Sequence, residues 1–255
     1  LDEIEEIAKK EIESWTRDEF MNAVKDKKDF QLRWPVASSD PEVLCSADAS
    51  EIWDEIIEAA HGCAEPGLLF WDTALKMTPS DIYTEEGFGS VSTNPCGEII
   101  LSPYDSCRLT VVNLSSFVKK PYTSSAYFDY DHFAEVVQKA QRLMDDMIDL
   151  EVEQVEKIIT KISDDPEPEE VKKIETDLWK NIKDQAIQGR RTGLGVTAVG
   201  DTLAALGLRY GSDESIETVE NFYKYLAVNS YRSSCNLAKE RGPFPIHDHE
   251  KERGH

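Results

Sequence analysis

Apolar residues in the first fifteen positions recur at helical spacing (Leu1, Ile4, Ile7, Ala8, Ile12 and Trp15), with glutamates and lysines between them. This pattern predicts an amphipathic helix over residues 1–15. A short helix is expected over 18–25. The alternation Phe30-Gln31-Leu32-Arg33-Trp34 predicts a short strand. Residues 37–48 are polar, contain Pro41 and read as a loop. From Ala49 to Cys63 the helical period returns, with Ile52, Trp53, Ile56, Ile57 and Ala60 on one face and Pro66-Gly67 as the stop. Leu68-Leu69-Phe70-Trp71 predicts a short apolar strand, and residues 76–89 a surface connection. Leu109 to Val118 is apolar and β-branched, which predicts a buried strand.

The longest helical pattern covers residues 129–162, with Phe133, Val136, Val137, Ala140, Leu143, Met144, Met147 and Ile148 as its buried stripe. Ser163-Asp164-Asp165-Pro166-Glu167-Pro168 forms a turn whose prolines suit the start of a second helix, reaching about Gln188. Both helices are rich in Glu and Lys, so an exposed hairpin with a solvated charged face is expected. Gly193-Leu194-Gly195 opens a predicted small-residue helix to about Leu206, with Gly207 as its cap. Ser212 suits the N-cap of a helix to about Arg241, ended by Gly242-Pro243. Helices alternating with short strands point to an α/β fold.

Composition narrows the function classes. The chain has 255 residues, 40% hydrophobic and 31% charged, which is ordinary for a globular protein able to bury a core. No apolar run reaches the roughly 18 residues of a membrane span. Leu1-Asp2-Glu3-Ile4-Glu5-Glu6 lacks the basic start of a signal peptide. A cytoplasmic protein without a membrane partner is expected. A formal net charge of −22 argues against long nucleic acids, because binding them requires neutralised phosphates. A single nucleotide is not excluded, since a few amides and basic side chains can hold one phosphate group. The five cysteines (Cys45, Cys63, Cys96, Cys107 and Cys235) are widely spaced without a C-x-x-C pair. That pattern suits reduced thiols better than a disulfide framework or a zinc site.

The chemistry concentrates in Asn94-Pro95-Cys96-Gly97-Glu98. In an extended segment, side chains at i, i+2 and i+4 point the same way. Pro95 pushes Asn94 toward extended geometry, and Gly97 removes bulk between the functional groups. Asn94, Cys96 and Glu98 are therefore expected to project together as amide, thiol and carboxylate. Cys107, eleven residues after Cys96 across a turn at Ser102-Pro103-Tyr104-Asp105, could return to the same pocket. Two reaction styles fit: a nucleophilic Cys96 activated by a base, or a hydrogen-atom-carrying thiol with Glu98 as acid/base group and Cys107 as reductant. The residues alone leave both open.

The same run, followed by Pro103-Tyr104-Asp105-Ser106-Cys107-Arg108-Leu109 and Asn113-Leu114, resembles the finger loop of the ribonucleotide reductases and the strand after it. Gly189-Arg190-Arg191-Thr192-Gly193-Leu194-Gly195, continuing through Asp201 to Gly211, and Leu237 to Pro245 are similar to two further motifs of that family. Asp18-Glu19-Phe20-Met21 and residues 51–73 also fit, so the resemblance runs from about residue 16 to the end. It implies a partial α/β barrel with a finger loop and a protruding helical hairpin. It also implies radical reduction of ribonucleotides to deoxyribonucleotides. Cys96 would become a thiyl radical that removes the 3′ hydrogen of the ribose. Glu98 would take the 3′-hydroxyl proton, Asn94 would hold the substrate hydroxyls, and Cys107 would be half of the reducing dithiol. The short Cys96-to-Cys107 connection and the charged hairpin look most like the adenosylcobalamin-dependent (class II) branch. The class I large subunit, with its metal-containing radical partner, is the runner-up.

The resemblance covers only the middle of such an enzyme. It divides the chain into an atypical helix over 1–15 and a partial catalytic barrel over 16–255, with residues 129–188 as an insertion-like hairpin. The second redox cysteine, the cobalamin site and the substrate phosphate loop match nothing here, so the isolated chain is expected to be inactive. A second polypeptide or further segments would complete the barrel. Its open sheet edges favour a partner or a homo-oligomer. A non-catalytic module that keeps the fold is the alternative of a different class. Gly193-Leu194-Gly195 with Gly200 lacks dinucleotide-fingerprint spacing. Arg190 and Arg191 are expected to pair with the acidic hairpin. His247-Asp248-His249 reads as an exposed tail rather than a metal site.

Overall fold

The computed structural model describes residues 29–34, 39–40, 42–106 and 108–253. The helices expected over 1–15 and 18–25 lie outside the described residues, as does Cys107. The chain forms two compact units, Leu1–Leu69 and Phe70–His255.

In the first unit, β1 (Asp29–Trp34) pairs antiparallel with β2 (Val43–Asp48), setting Trp34 opposite Val43. The loop expected over 37–48 is therefore corrected over 43–48: pairing with β1 gives this stretch its backbone partners, a tertiary effect that outweighs the polar flank around Pro41. Helix α1 (Ala49–Cys63) follows directly, capped by the Asp48 carboxylate, which accepts the Ser50 N–H at 2.8 Å. Ile52, Trp53 and Ile56 are half-buried on its expected face, whereas Ile57 and Ala60 are exposed.

The strand expected over Leu68 to Trp71 is not formed: Leu68 to Phe70 has no regular structure, and Trp71 opens helix α2 (Trp71–Met77) of the second unit. A short apolar run does not distinguish a strand from a helix start by period alone, and Asp72 suits a helix first turn. The expected surface connection is a 3-10 segment (Pro79–Glu86) that buries Tyr83, with Phe88 buried just after it. Strands β3 (Ser92–Thr93) and β4 (Ile100–Leu101) make an antiparallel hairpin.

Strand β5 (Leu109–Asn113) is shorter than expected. Leu114–Phe117 turns as a 3-10 helix into β6 (Val118–Lys119), which pairs with β7 (Tyr127–Phe128). Helices α3 (Tyr130–Asp164) and α4 (Glu169–Gly189) form the expected hairpin. The predicted helix over 193–206 is in part a strand: β8 (Gly193–Thr197) pairs parallel with β5, Leu109 opposite Gly193 and Asn113 opposite Thr197. Ala198, at φ 64°, then breaks into α5 (Val199–Leu206), which Gly207 caps as expected. Glycines disfavour a helix interior, and the β5 ladder supplies the hydrogen bonds that decide for a strand. Helix α6 (Asp213–Arg241) has the expected Ser212 cap and Gly242 stop, and α7 (His249–Arg253) follows.

The core joins one face of this sheet to α3 and α6. Phe133, Val137 and Ala140 of α3 pack with Phe222 and Leu226 of α6 and with Val112, Leu114, Phe117 and Phe128. Phe117, Phe128 and Phe133 meet at centroid distances of 5.1–5.9 Å, and Phe128 meets Phe222 at 4.4 Å. The α3 stripe is narrower than expected, because Leu143 and Met147 are exposed. On β5, Val112 faces the core, while Leu109 and Val111 are 48% and 54% exposed on the other face.

Candidate active site

The β3–β4 hairpin carries the Asn94-to-Glu98 run on its loop. The Gly97 N–H donates to the Asn94 carbonyl at 3.0 Å, and Gly97 sits at φ 77°. The Ile99 N–H donates to Asn94 Oδ1 at 3.0 Å, and the Asn94 N–H to the Ile99 carbonyl at 3.2 Å. This overturns the extended alternation expected for the run: Pro95 and Cys96 are the corner of a tight turn. Proline suits the second position of such a turn, and glycine suits the fourth, where φ is positive. Cys96 and Glu98 are exposed, and Asn94 is half-buried. The turn brings the three residues onto one short loop by a different route from the one expected. Asn94 Oδ1 is engaged by the loop itself, so its amide nitrogen is the group that can donate outward.

Cys107 is reached through its neighbours. Residues 102–105 form the expected turn, with the Asp105 N–H donating to the Ser102 carbonyl at 3.2 Å. The Asp105 side chain is 1% exposed and saturated. Its Oδ2 meets Arg191 Nε at 2.5 Å and accepts the Ser102 hydroxyl at 3.1 Å, while Oδ1 accepts the Ser106 N–H at 2.8 Å. Arg191 Nη1 also donates to the Ile100 carbonyl at 3.0 Å. On the other side, the buried Arg108 grips Glu151 of α3 with the Nε–Nη2 edge of its guanidinium, at 2.6 and 2.9 Å, and donates from Nη1 to the Ser106 and Arg191 carbonyls. The Gly193 N–H donates to the Arg108 carbonyl at 3.0 Å, where the β5–β8 ladder begins.

The arginine pair splits its roles. Arg190 pairs with Asp145 and Asp149 of α3, as expected. Arg191 does not: it faces Asp105, because the left-handed Arg190 (φ 45°) turns the chain between the two side chains. Half-burial works against the Arg190 charge, but hydrogen bonds to Asp145 and Asp149 outweigh it and raise its pKa above the ordinary value. Arg241, at the end of α6, shares Asp145 and adds Asp146. Arg190, Arg241, Asp145, Asp149 and Pro243-Phe244-Pro245 line a cleft of about 450 Å³.

The second and third motifs also meet the 79–90 segment. The Phe88 ring lies where a Cβ on Gly189 would stand, 2.3 Å away, so only glycine fits there. Tyr83 packs edge-on against Phe244, donates its hydroxyl to Glu252 at 2.8 Å and accepts the Asp248 N–H at 2.9 Å. Burial, joined by the nearby Glu252 carboxylate, raises the Tyr83 pKa despite the opposing Asp248 N–H. Asp248 is the α7 cap, accepting the Glu250 and Lys251 N–H groups, which hold its carboxyl below the usual range. His247 approaches Glu252 at 3.1 Å. Among the described residues, no three His, Cys, Asp or Glu side chains are grouped to hold a metal ion.

The family described as "Ribonucleotide reductase, barrel domain" matches residues 2–254. The chain belongs to this family. It is 32% identical over 205 residues to a vitamin B12-dependent ribonucleoside-diphosphate reductase of Mycobacterium tuberculosis, covering 80% of this chain and 25% of that protein. The counterpart of that name from Thermoplasma acidophilum is 35% identical over 208 residues, covering 80% of this chain and 22% of that protein. Among solved structures, an Actinobacillus ureae class Id ribonucleotide reductase alpha subunit shares the fold with a TM-score of 0.54 at 21% identity. The match covers 78% of this chain and 33% of that one. The chain spans about a quarter of the length of the curated relatives it matches.

Sequence reasoning missed Asp105, Arg108, Arg191, Tyr83 and Phe88 as parts of this site. The first three lie inside the quoted motifs, and a charged residue within an otherwise apolar or glycine-rich motif was the available signal. Tyr83 and Phe88 left none, since two aromatics in a polar stretch resemble any surface connection.

Proposed function

We propose that this chain is the radical-loop portion of an enzyme that reduces ribonucleotides to deoxyribonucleotides, with Cys96 as the hydrogen-atom carrier. The observation that carries this reading is the exposed Cys96 at the corner of a hairpin turn, with Glu98 exposed two residues on, in a chain of this family. A thiol there is open to a substrate laid across the loop. In the reaction, the Cys96 thiyl forms an S–H bond with the 3′ hydrogen as the C3′–H bond breaks. Glu98 takes the 3′-hydroxyl proton, which makes the sugar radical a better electron source for expelling the 2′-hydroxyl. Asn94 holds the ribose hydroxyls through its amide nitrogen, and Cys107 is one half of the dithiol that supplies reducing equivalents. The hairpin α3–α4 is read as an insertion-like projection from a partial barrel.

The relatives, named as vitamin B12-dependent reductases, support a cobalamin as the cofactor, and adenosylcobalamin is the form proposed. The described residues do not by themselves fit a corrin: Cys96 and Glu98 stand exposed on their loop, and the clefts of about 450 and 460 Å³ are lined by residues 141–149, 187–194, 223–234 and 237–245 instead. A cradle would have to come from further polypeptide. Completion by such polypeptide, within one longer chain or as a partner, is part of the proposal.

The test is a reductase assay with adenosylcobalamin and a dithiol on ribonucleoside di- and triphosphates. The chain is assayed alone and joined to the segments its relatives carry beyond the match. Turnover is expected only for the completed enzyme, and Cys96→Ser should abolish it. Turnover that survives Cys96→Ser would sink the reading.

A further inference from the structure

We infer that Arg191 is a positioning residue that holds the Cys96 loop in register with the Ser106–Arg108 segment that carries Cys107. The inference rests on the reading of Cys96 given above. Strand β4 pairs with β3, and β5 pairs with β8. Among the described residues, no backbone ladder joins these two sheets. Beyond the β4 ladder and the backbone-bonded Ser102–Asp105 turn, side chains join this stretch to its surroundings: Gln185 Nε2 of α4 donates to the Ser102 hydroxyl at 3.2 Å, and Arg191 reaches both Ile100 and Asp105. One guanidinium supplies both ties: Nη1 to the Ile100 carbonyl, two residues after Glu98, and Nε to Asp105 Oδ2, two residues before Cys107.

The geometry of this tie is stiff for three reasons. A guanidinium is planar, so its two N–H directions are fixed relative to one another. Asp105 is almost fully buried, so the ion pair is shielded from solvent and has little freedom to slide. The Arg191 backbone is itself held, its carbonyl accepting Arg108 Nη1 at 3.3 Å just ahead of the β8 ladder. The loop foot, the turn before Cys107 and the start of β8 thus share one side chain. Hydrogen-atom transfer depends on sub-ångström placement of the thiol, where a misplacement of about 1 Å can cost on the order of 100-fold in rate.

The test uses hydrogen–deuterium exchange of the full chain with two variants. Arg191→Lys keeps the charge but loses the fixed fork. The pair Arg191→Met with Asp105→Asn removes both charges, so that no buried carboxylate is stranded and the fold is retained. Exchange of the Asn94, Gly97, Ile99 and Ser106 amides should rise on the order of tenfold, while α3 and α6 keep their wild-type rates. Unchanged exchange over 94–106, or an equal rise across α3 and α6, would overturn the assignment. In the completed enzyme, Arg191→Lys should lower kcat on the order of 100-fold and leave KM unchanged; an unchanged kcat would also overturn it. A localised rise in the variants, together with a completed wild-type enzyme that shows no turnover, would support the tie while removing the catalytic reading of Cys96.

Discussion

At the scale of single residues, the site is built from positions where one atom decides the outcome. Gly189 ends α4 where the Phe88 ring leaves no room for a Cβ. Because Phe88 is buried and cannot swing into solvent, Gly189→Ala should destabilise the fold by roughly 1–3 kcal/mol, the range for overpacking a tight core. Chemical denaturation with an unchanged m-value would check this. The same chain of contacts links Phe88 to the segment leading into the Cys96 hairpin, so the cost falls on the scaffold rather than on the thiol. At Gly97 it is the backbone conformation that calls for glycine, because φ 77° is a region that L side chains rarely adopt.

At the scale of elements, charged side chains join helices to strands across the core boundary. Arg108, just before β5, grips Glu151 on α3, and its side chain is 4% exposed against 28% for that of Glu151. Glu151→Ala would leave a buried guanidinium without its counter-charge. A loss toward the lower end of roughly 3–5 kcal/mol is expected, reduced because water already reaches Glu151. A two-state urea titration would measure it, and a loss below about 0.5 kcal/mol would show the pair to be solvent-screened. Helix α3 also has a titratable cap. The His132 N–H holds the Asp129 carboxyl below its usual range against a desolvation cost, helped by Lys119. A depressed folded-state pKa means that this stabilisation is present above the unfolded value and is lost as pH falls through the folded one. Asn caps equally well without titrating, so the Tm advantage of wild type over Asp129→Asn should shrink as pH drops from about 5 to about 2. A difference that stays constant over that window would rule out the charged cap.

At the scale of the whole molecule, the chain is part of an architecture that its relatives build at about four times the length. Parallel sheets are ordinarily covered on both faces, yet β5 shows Leu109 and Val111 on a face that the described residues leave exposed. Such a surface favours association. The isolated chain should therefore sediment as more than a monomer at micromolar concentration, and Val111→Lys should shift it toward monomer. A monomer for both proteins would contradict this. No helix among the described residues is long and apolar enough to cross a membrane.

What the sequence determined by itself was local. The α3 and α4 pattern, the Ser212 cap, the Gly207 and Gly242 stops and the three motifs all depend on neighbours within a few residues, and each was legible. The family of the chain was legible for the same reason, because its motifs are contiguous runs. What only tertiary structure decided was non-local. Gly193 to Thr197 is a strand because β5 lies beside it, and residues 43–48 pair because β1 does. The Asn94-to-Glu98 run is a turn because β3 and β4 close on either side of it. Arg191 faces Asp105 rather than the acidic hairpin because Arg190 turns the chain. Backbone hydrogen-bond partners and buried counter-charges separated by up to about ninety residues carry no periodic signal along the chain, and here they are what set the frame around Cys96.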